Sequence, residues 1–220
     1  MDKNPPTTPP TRYTFSEMTW EHGAAVGRIH AEHLRHSFMS YLGARFLGRL
    51  YEVLIELDYG FGFVVLADDK VAGFSFGRSQ PTQAPTRYVF KAAKRLAIHV
   101  IVLVFTHPIS LAKAVIGVMQ SGKIIHDPDV GELLAIAVLP EARRGGNGAR
   151  ILEMLFERMR QEGCTRARWA AHGGNAGMKQ FSRSVGAVII SETRIMGRPI
   201  VWYERDLRAG PTRDFKNNSE

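Results

Sequence analysis

Val138-Leu-Pro-Glu-Ala-Arg-Arg-Gly-Gly-Asn-Gly-Ala149 is the stretch on which the reading of this chain turns. Before it lies a nearly continuous apolar run, Leu133 to Leu139, of the kind a strand covered on both faces carries. After it, Ala149 to Gln161 places Ile151, Leu152, Leu155, Phe156 and Met159 on one helical stripe, and Gly163 supplies a stop. A buried strand thus passes through a glycine-rich turn into an amphipathic helix. Glycines let the backbone curl so that successive N–H groups face one anion, and the helix N-terminus adds its positive partial charge. Arg143, Arg144 and Arg150 add charge-assisted donors, so the turn is predicted to cradle a pyrophosphate. A tight strand-to-helix connection with no ligand would use the same glycines.

Two other phosphate-binding signatures fail on the letters. A P-loop needs Gly-Lys followed by Ser or Thr, whereas Gly148 is followed by Ala149 and Arg150. Gly146-Asn-Gly148-Ala-Arg-Ile151 lacks the third small residue of a dinucleotide fingerprint, and no parallel βαβ array surrounds it.

Outward from the turn, Tyr13 to Met18 reads as a short strand and Thr19 as an N-cap, with His22 where a capping box would place Glu; a helix follows to about Arg35. Leu42 to Leu57 carries Phe46, Leu47, Leu50, Tyr51, Leu54 and Ile55 at helical spacing. Phe63 to Ala67 and Val71 to Gly77 are β-prone runs joined by Asp68, Asp69 and Lys70, a hairpin. About fifty residues follow, opening with the turn-rich Gln80 to Thr86 and closing with His126 to Gly131, and their apolar middle reads as helical. Past the central helix, Arg166 to Ala171 is a strand and Asn175 caps a helix to about Val185. Ala187 to Ile195 and Pro199 to Arg205 are strands. The fold class is α/β (α+β): a mixed, mostly antiparallel sheet flanked by helices, with a helical insertion over about 80–130 between the third and fourth strands. A flexible arm is expected over 1–11, one domain over 12–208 and a flexible tail over 209–220.

Composition sets wide bounds. Apolar residues at 45% and charged ones at 23% provide for a sizeable core, and a net charge of +8 favours anionic partners without choosing among them. Cys164 is the single cysteine, which excludes an intrachain disulfide and a two-cysteine metal motif and suits a reducing cytoplasm. Met1 to Thr11 is proline-rich without an apolar core, unlike a signal peptide, and Leu96 to Phe105 is too short to span a bilayer.

With these residues in place the chain resembles the GNAT superfamily of acyl-CoA-dependent N-acyltransferases, over roughly Tyr13 to Leu207. Arg143, Gly146 and Gly148, after Pro140, match its acyl-CoA signature, and Asn175 to Gly186 resembles its Asn-containing helix after the splayed fifth strand. The resemblance implies acetyl-CoA as donor, with backbone groups of Ala137 and Val138 pairing with the pantetheine arm. It further implies that Arg143, Arg144, Gly145, Gly146, Asn147, Gly148 and Ala149 take the pyrophosphate and that Asn175 contacts the cofactor. Glu132 resembles the position of a general base. The helix tyrosine that often serves as acid falls on Ser182, and the aromatic after the helix glycine falls on Ala187, two departures from the pattern.

Other clusters are weighed against packing. His30, His33 and His36 recur at helical spacing, yet no carboxylate or cysteine completes a ligand set, so no metal is expected. Asp127 and Asp129 flank a proline turn, Cys164 is a spare thiol, and Trp169, Phe181, Trp202 and Tyr203 are packing residues, so no nucleic acid is expected. The insertion over 88–119 is apolar on most faces with basic edges. It fits buried packing, an acceptor-site wall, a homodimer surface or a peripheral membrane contact. The expected function is transfer of an acetyl group to a primary amine of a small molecule or amino sugar. The alternatives are a non-catalytic acyl-CoA-binding regulatory module and a polyanion or membrane-surface binder.

Overall fold

Asp68 and Asp69 both take left-handed backbone, at φ 46° and 63°, and close the two-residue turn between β2 (Phe61–Ala67) and β3 (Lys70–Arg78). Positive φ at both turn residues matches the twist of the flanking strands, and Lys70 pairs with Ala67, so it belongs to the strand rather than the connection. The computed structural model describes residues 11–79, 91–92, 94–121 and 127–211. Most of the expected arm and tail, all of Gln80 to Thr86, and His126 lie outside the described residues.

Among the described residues, seven strands form one sheet in the order β1-β2-β3-β4-β5-β7-β6, where β1 is Tyr13–Glu17, β4 Val130–Val138, β5 Arg166–His172, β6 Val188–Ile195 and β7 Arg198–Asp206. Every neighbouring pair is antiparallel except β4 and β5, which run parallel. The sheet is thus mixed and mostly antiparallel, as the sequence predicts.

Helices cover both faces because the strands alternate. On one face α5 (Asn147–Gln161) and α6 (Ala176–Ser184) bury Ile151, Leu155 and Phe156 against Ile136, Val138, Trp169 and Tyr203. On the other, α1 (Gly23–His33) and α2 (Ala44–Glu56) bury Val26, Ile29 and Tyr51 against Val64, Phe74, Phe76, Ala135 and Ala137. Each large side chain so buried contributes about 1.5–3 kcal/mol. Two helices of the insertion, α3 (Ala97–Thr106) and α4 (Pro108–Ser121), extend this second layer, with Leu96 and Leu103 packed on Leu42, Phe46 and Val53.

The helix starts differ in detail from the periodicity. His22 does fill the place of the capping-box glutamate: the Thr19 N–H donates to its Nδ1 at 2.9 Å. A short 3-10 turn, Trp20–His22, precedes α1, which ends at His33. The predicted helix from Leu42 is interrupted by Gly43 at φ 79°, so Phe38–Leu42 forms a separate 3-10 turn beside the sheet.

Candidate active site

The feature that builds the site is a failure of pairing. β4 and β5 are in register only over Val130, Gly131 and Glu132, opposite Arg166, Ala167 and Arg168, although the strands are nine and seven residues long. Beyond that rung they part. Leu134 has no partner on β3, a β-bulge, and its side chain is 40% exposed, while Ala170 across the gap is also exposed.

Register decides which backbone groups face the gap. The Leu139 N–H donates to the Ala72 carbonyl, so the pairs that exchange both hydrogen bonds with β3 continue as Phe74 with Ala137 and Phe76 with Ala135. The backbone of Ala137 is therefore turned to β3, and that of Ile136 and Val138 to the gap. Ile136 escaped the sequence reading because the bulge that fixes this parity leaves no mark in the letters.

The open end of the gap runs into the glycine-rich turn. Gly145 and Gly146 adopt φ 83° and 78°, left-handed backbone that a side chain disfavours, and space around Gly145 is empty. Helix α5 then starts with no side-chain cap, leaving its first-turn amides without intrahelical acceptors. Asn147 faces inward instead: its side-chain amide donates to the Ala142 carbonyl at 2.9 Å and holds the turn closed. Gly148 lies over Val138 and Phe181, joining β4, α5 and α6 at one corner, with Ala149 next to it in the first turn. Arg143 donates through Nε to the Val138 carbonyl at 3.0 Å, and both Arg143 and Arg144 are exposed. Arg150, by contrast, stacks on Phe15, 4.2 Å from the ring centroid.

At the closed end sits a rung of alternating charge. Arg78, Glu132, Arg168 and Glu204 are successive register partners across β3, β4, β5 and β7. Arg78 donates to Glu132 Oε2 from Nε at 2.9 Å and from a terminal nitrogen at 2.6 Å, and to the Tyr59 hydroxyl at 2.5 Å. Arg168 pairs with Glu204, and Arg166 bridges Asp127 at 2.5 Å and Asp129 at 3.1 Å. The two aspartates thus anchor the start of β4 to β5. Glu132 is 13% exposed, and both recorded bonds fall on one oxygen.

The side of the gap facing α1 and α2 is lined differently. Trp202, the register partner of Ala170, is 1% exposed and its Nε1 has no partner among the described residues. Arg198 lies 5.5 Å from the ring centroids of both Phe38 and Tyr41 and bonds the Tyr41 hydroxyl. His172, at the end of β5, stacks on His36 with centroids 4.7 Å apart. Burial first, then His36 and Arg198, hold the His172 imidazole below its ordinary pKa.

Other sequence candidates find structural partners. Asn175 caps α6, its side chain accepting from the Met178 N–H at 3.0 Å. Ser182 is fully buried and its hydroxyl accepts from Trp169 Nε1 at 3.1 Å, so it does not face the gap, and the donor role expected of it has no geometric support. Cys164 is buried, with its pKa pushed up to about 11 chiefly by desolvation. His30 turns into the core to Tyr51 while His36 meets His172, so the histidines do not converge.

The same fold recurs among solved structures. No curated protein sequence matches the chain. Among solved structures, yncA of Salmonella typhimurium, solved with its cofactor acetyl-CoA, superposes with a TM-score of 0.58 at 13% identity, covering 89% of this chain and 94% of that one. Ard1 of Thermoplasma volcanium gives 0.55 at 15%, over 88% and 97%. An N-acetyltransferase from Staphylococcus aureus Mu50 gives 0.54 at 12%, over 89% and 99%. At such identities these likenesses show the fold alone. The model of the acetyltransferase (GNAT) family, however, matches residues 31–187, most of the chain and the whole of the parted strands and their glycine-rich turn, and the chain belongs to that family.

Proposed function

We propose that this protein transfers an acetyl group from acetyl-CoA to a primary amine on a small molecule, an amino sugar being one such acceptor. The observation that carries the reading is the continuity of the parted β4 edge with the uncapped N-terminus of α5. The residues fit the donor in three respects. The edge at Ile136 and Val138 offers backbone groups to an amide-bearing pantetheine arm as an added strand would. The turn from Arg143 to Ala149 offers amides and two exposed guanidinium groups to a pyrophosphate. The space beside Gly145 leaves room for that anion. Acetyl-CoA supplies an activated carbonyl; the chain must place it, keep water out and remove a proton from the amine.

Glu132 is the proposed general base. An alkylammonium must lose a proton before its nitrogen can attack, and Glu132 stands on the last paired rung, two residues before the exposed Leu134. Arg78 fixes Oε2 and so orients Oε1, which accepts the proton directly or through one water. No acid role is kept for Ser182; solvent protonates the departing thiolate. The aromatic and cationic rim of Phe38, Tyr41 and Arg198 supports a small acceptor carrying hydrogen-bond acceptors beside its amine.

The test is the rate of thiol release against pH on an amine that the wild type accepts. Glu132→Gln should lower turnover by about 10² with CoA affinity nearly unchanged, and should remove the acidic limb of the profile. An unchanged rate and limb would take Glu132 out of the mechanism. Tight CoA binding with no turnover across an amine library would favour the non-catalytic binding module.

A further inference from the structure

The chain's entire net charge comes from one segment. From Lys70 to His126 there are eight Lys and Arg residues and no Asp or Glu, and the remaining 21 basic and 21 acidic residues cancel. Within that segment the structure describes six of the eight: Lys70, Lys91, Lys94, Arg95 and Lys113 are exposed, and Arg78 is held in its pair with Glu132. Arg95 reaches Glu56 of α2 at 2.5 Å, and Lys113 lies 5.7 Å from the Tyr41 ring centroid, so these two also tie the insertion to the body.

The same segment carries a second, independent anomaly. Helix α3 buries the stripe Leu96, Val100 and Leu103 on α2, which should leave its opposite face polar. Instead, Ile98, Ile101, Val102 and Phe105 recur at spacings of three and four on the outward face, and Ile109 continues them past the α3–α4 corner. Ile98 is 75% exposed, Phe105 83% and Ile109 70%, far more than a packing residue tolerates. No helix among the described residues is long and apolar enough to cross a membrane.

We propose that the outward face of α3 and the α3–α4 corner dock on an anionic lipid bilayer, with the apolar stripe entering the headgroup boundary and the cations meeting lipid phosphates. Charge and apolarity must be satisfied together, and that selects the occupant. A nucleic acid would accept the cations but offers no apolar medium to Phe105 and the isoleucines. A second copy of the chain would cover the apolar stripe but would bring two acid-free segments into contact. An anionic bilayer takes both, each cation near its surface strengthening binding about fivefold and each inserted aliphatic adding area. The inference is independent of the acetyltransferase reading.

Flotation of the full chain with vesicles tests it. Binding is expected to phosphatidylcholine mixed with phosphatidylglycerol, to weaken with salt, and to be absent with phosphatidylcholine alone. Phe105→Ser with Ile101→Ser, both at exposed positions, should reduce partitioning about tenfold or more without changing the melting temperature or CoA affinity. Lys91→Glu with Lys94→Glu should reduce it comparably by charge alone. Failure to bind the mixed vesicles, equal binding to neutral ones, or binding unchanged by the Phe105 and Ile101 substitutions would each overturn the proposal. So would a dimer, seen by light scattering, that those substitutions dissociate in the absence of vesicle binding, or retention on DNA without it.

Discussion

Arg143 has two tasks in this turn, and they are separable. Its Nε holds the carbonyl of Val138, which locks the end of β4 to the turn, while its terminal nitrogens project to the exposed side. Arg143→Glu loses both and places a negative charge where the pyrophosphate is proposed to sit. Gly146→Asp adds a like charge and, at φ 78°, forces a side chain into left-handed backbone. Both variants are expected to weaken CoA binding by about tenfold or more in calorimetry, the loss of one charge-assisted contact with repulsion added. Arg143→Glu should still fold. Unchanged affinity in both would move the donor site elsewhere. Ser182 shows the limit of reading a residue from its position: a hydroxyl where relatives carry a phenol suggests chemistry, but only the fold reveals that Trp169 already uses it.

At the scale of elements, what the sequence reveals is what neighbouring residues settle among themselves. The Asp68–Asp69 hairpin, the run of β4 into the turn, the apolar stripe of α5 and the Asn175 cap are all local, and each forms where its letters indicate, save that Lys70 joins the strand rather than the connection. The parted strands, the bulge at Leu134 and the charged rung are set by pairing between residues some 36 to 59 positions apart, and no local pattern encodes them. The packing of α1 on α2 is a further case. A Cβ on Gly27 would lie 2.3 Å from the backbone nitrogen of Gly48, so the two helices meet with no side chain between them, which periodicity alone does not announce. Gly27→Val must then push the helices apart and disturb the layer that carries Phe38 and Tyr41. A loss of about 3 kcal/mol or more in urea unfolding is expected, at the upper end of overpacking costs. A loss below about 1 kcal/mol would mean that the helices can slide without penalty.

For the molecule as a whole, the layer of α1 and α2 is stabilised by a buried histidine whose protonation opposes folding. His30 is 4% exposed, and its Nδ1 lies 2.7 Å from the Tyr51 hydroxyl and its Nε2 3.2 Å from Ser37 Oγ. Desolvation lowers its pKa from 6.5 to about 4 and raises that of Tyr51, so the pair is neutral throughout the working range. Between those two values the unfolded chain binds the proton and the folded one does not. Stability is therefore complete above pH 6.5 and falls as the pH drops toward 4. From pH 7 to pH 5 the His30 contribution to this fall is about 2 kcal/mol, at 1.36 kcal/mol for each unit of separation. His30→Gln cannot titrate, so it should be less stable than the wild type at pH 7, for want of the buried contacts, yet lose about 2 kcal/mol less between pH 7 and pH 5. Urea midpoints for the two proteins at both pH values measure the difference. Parallel losses would show that His30 takes its proton without unfolding, through an opening of the segment from Leu34 to Gly43 that lets water reach it.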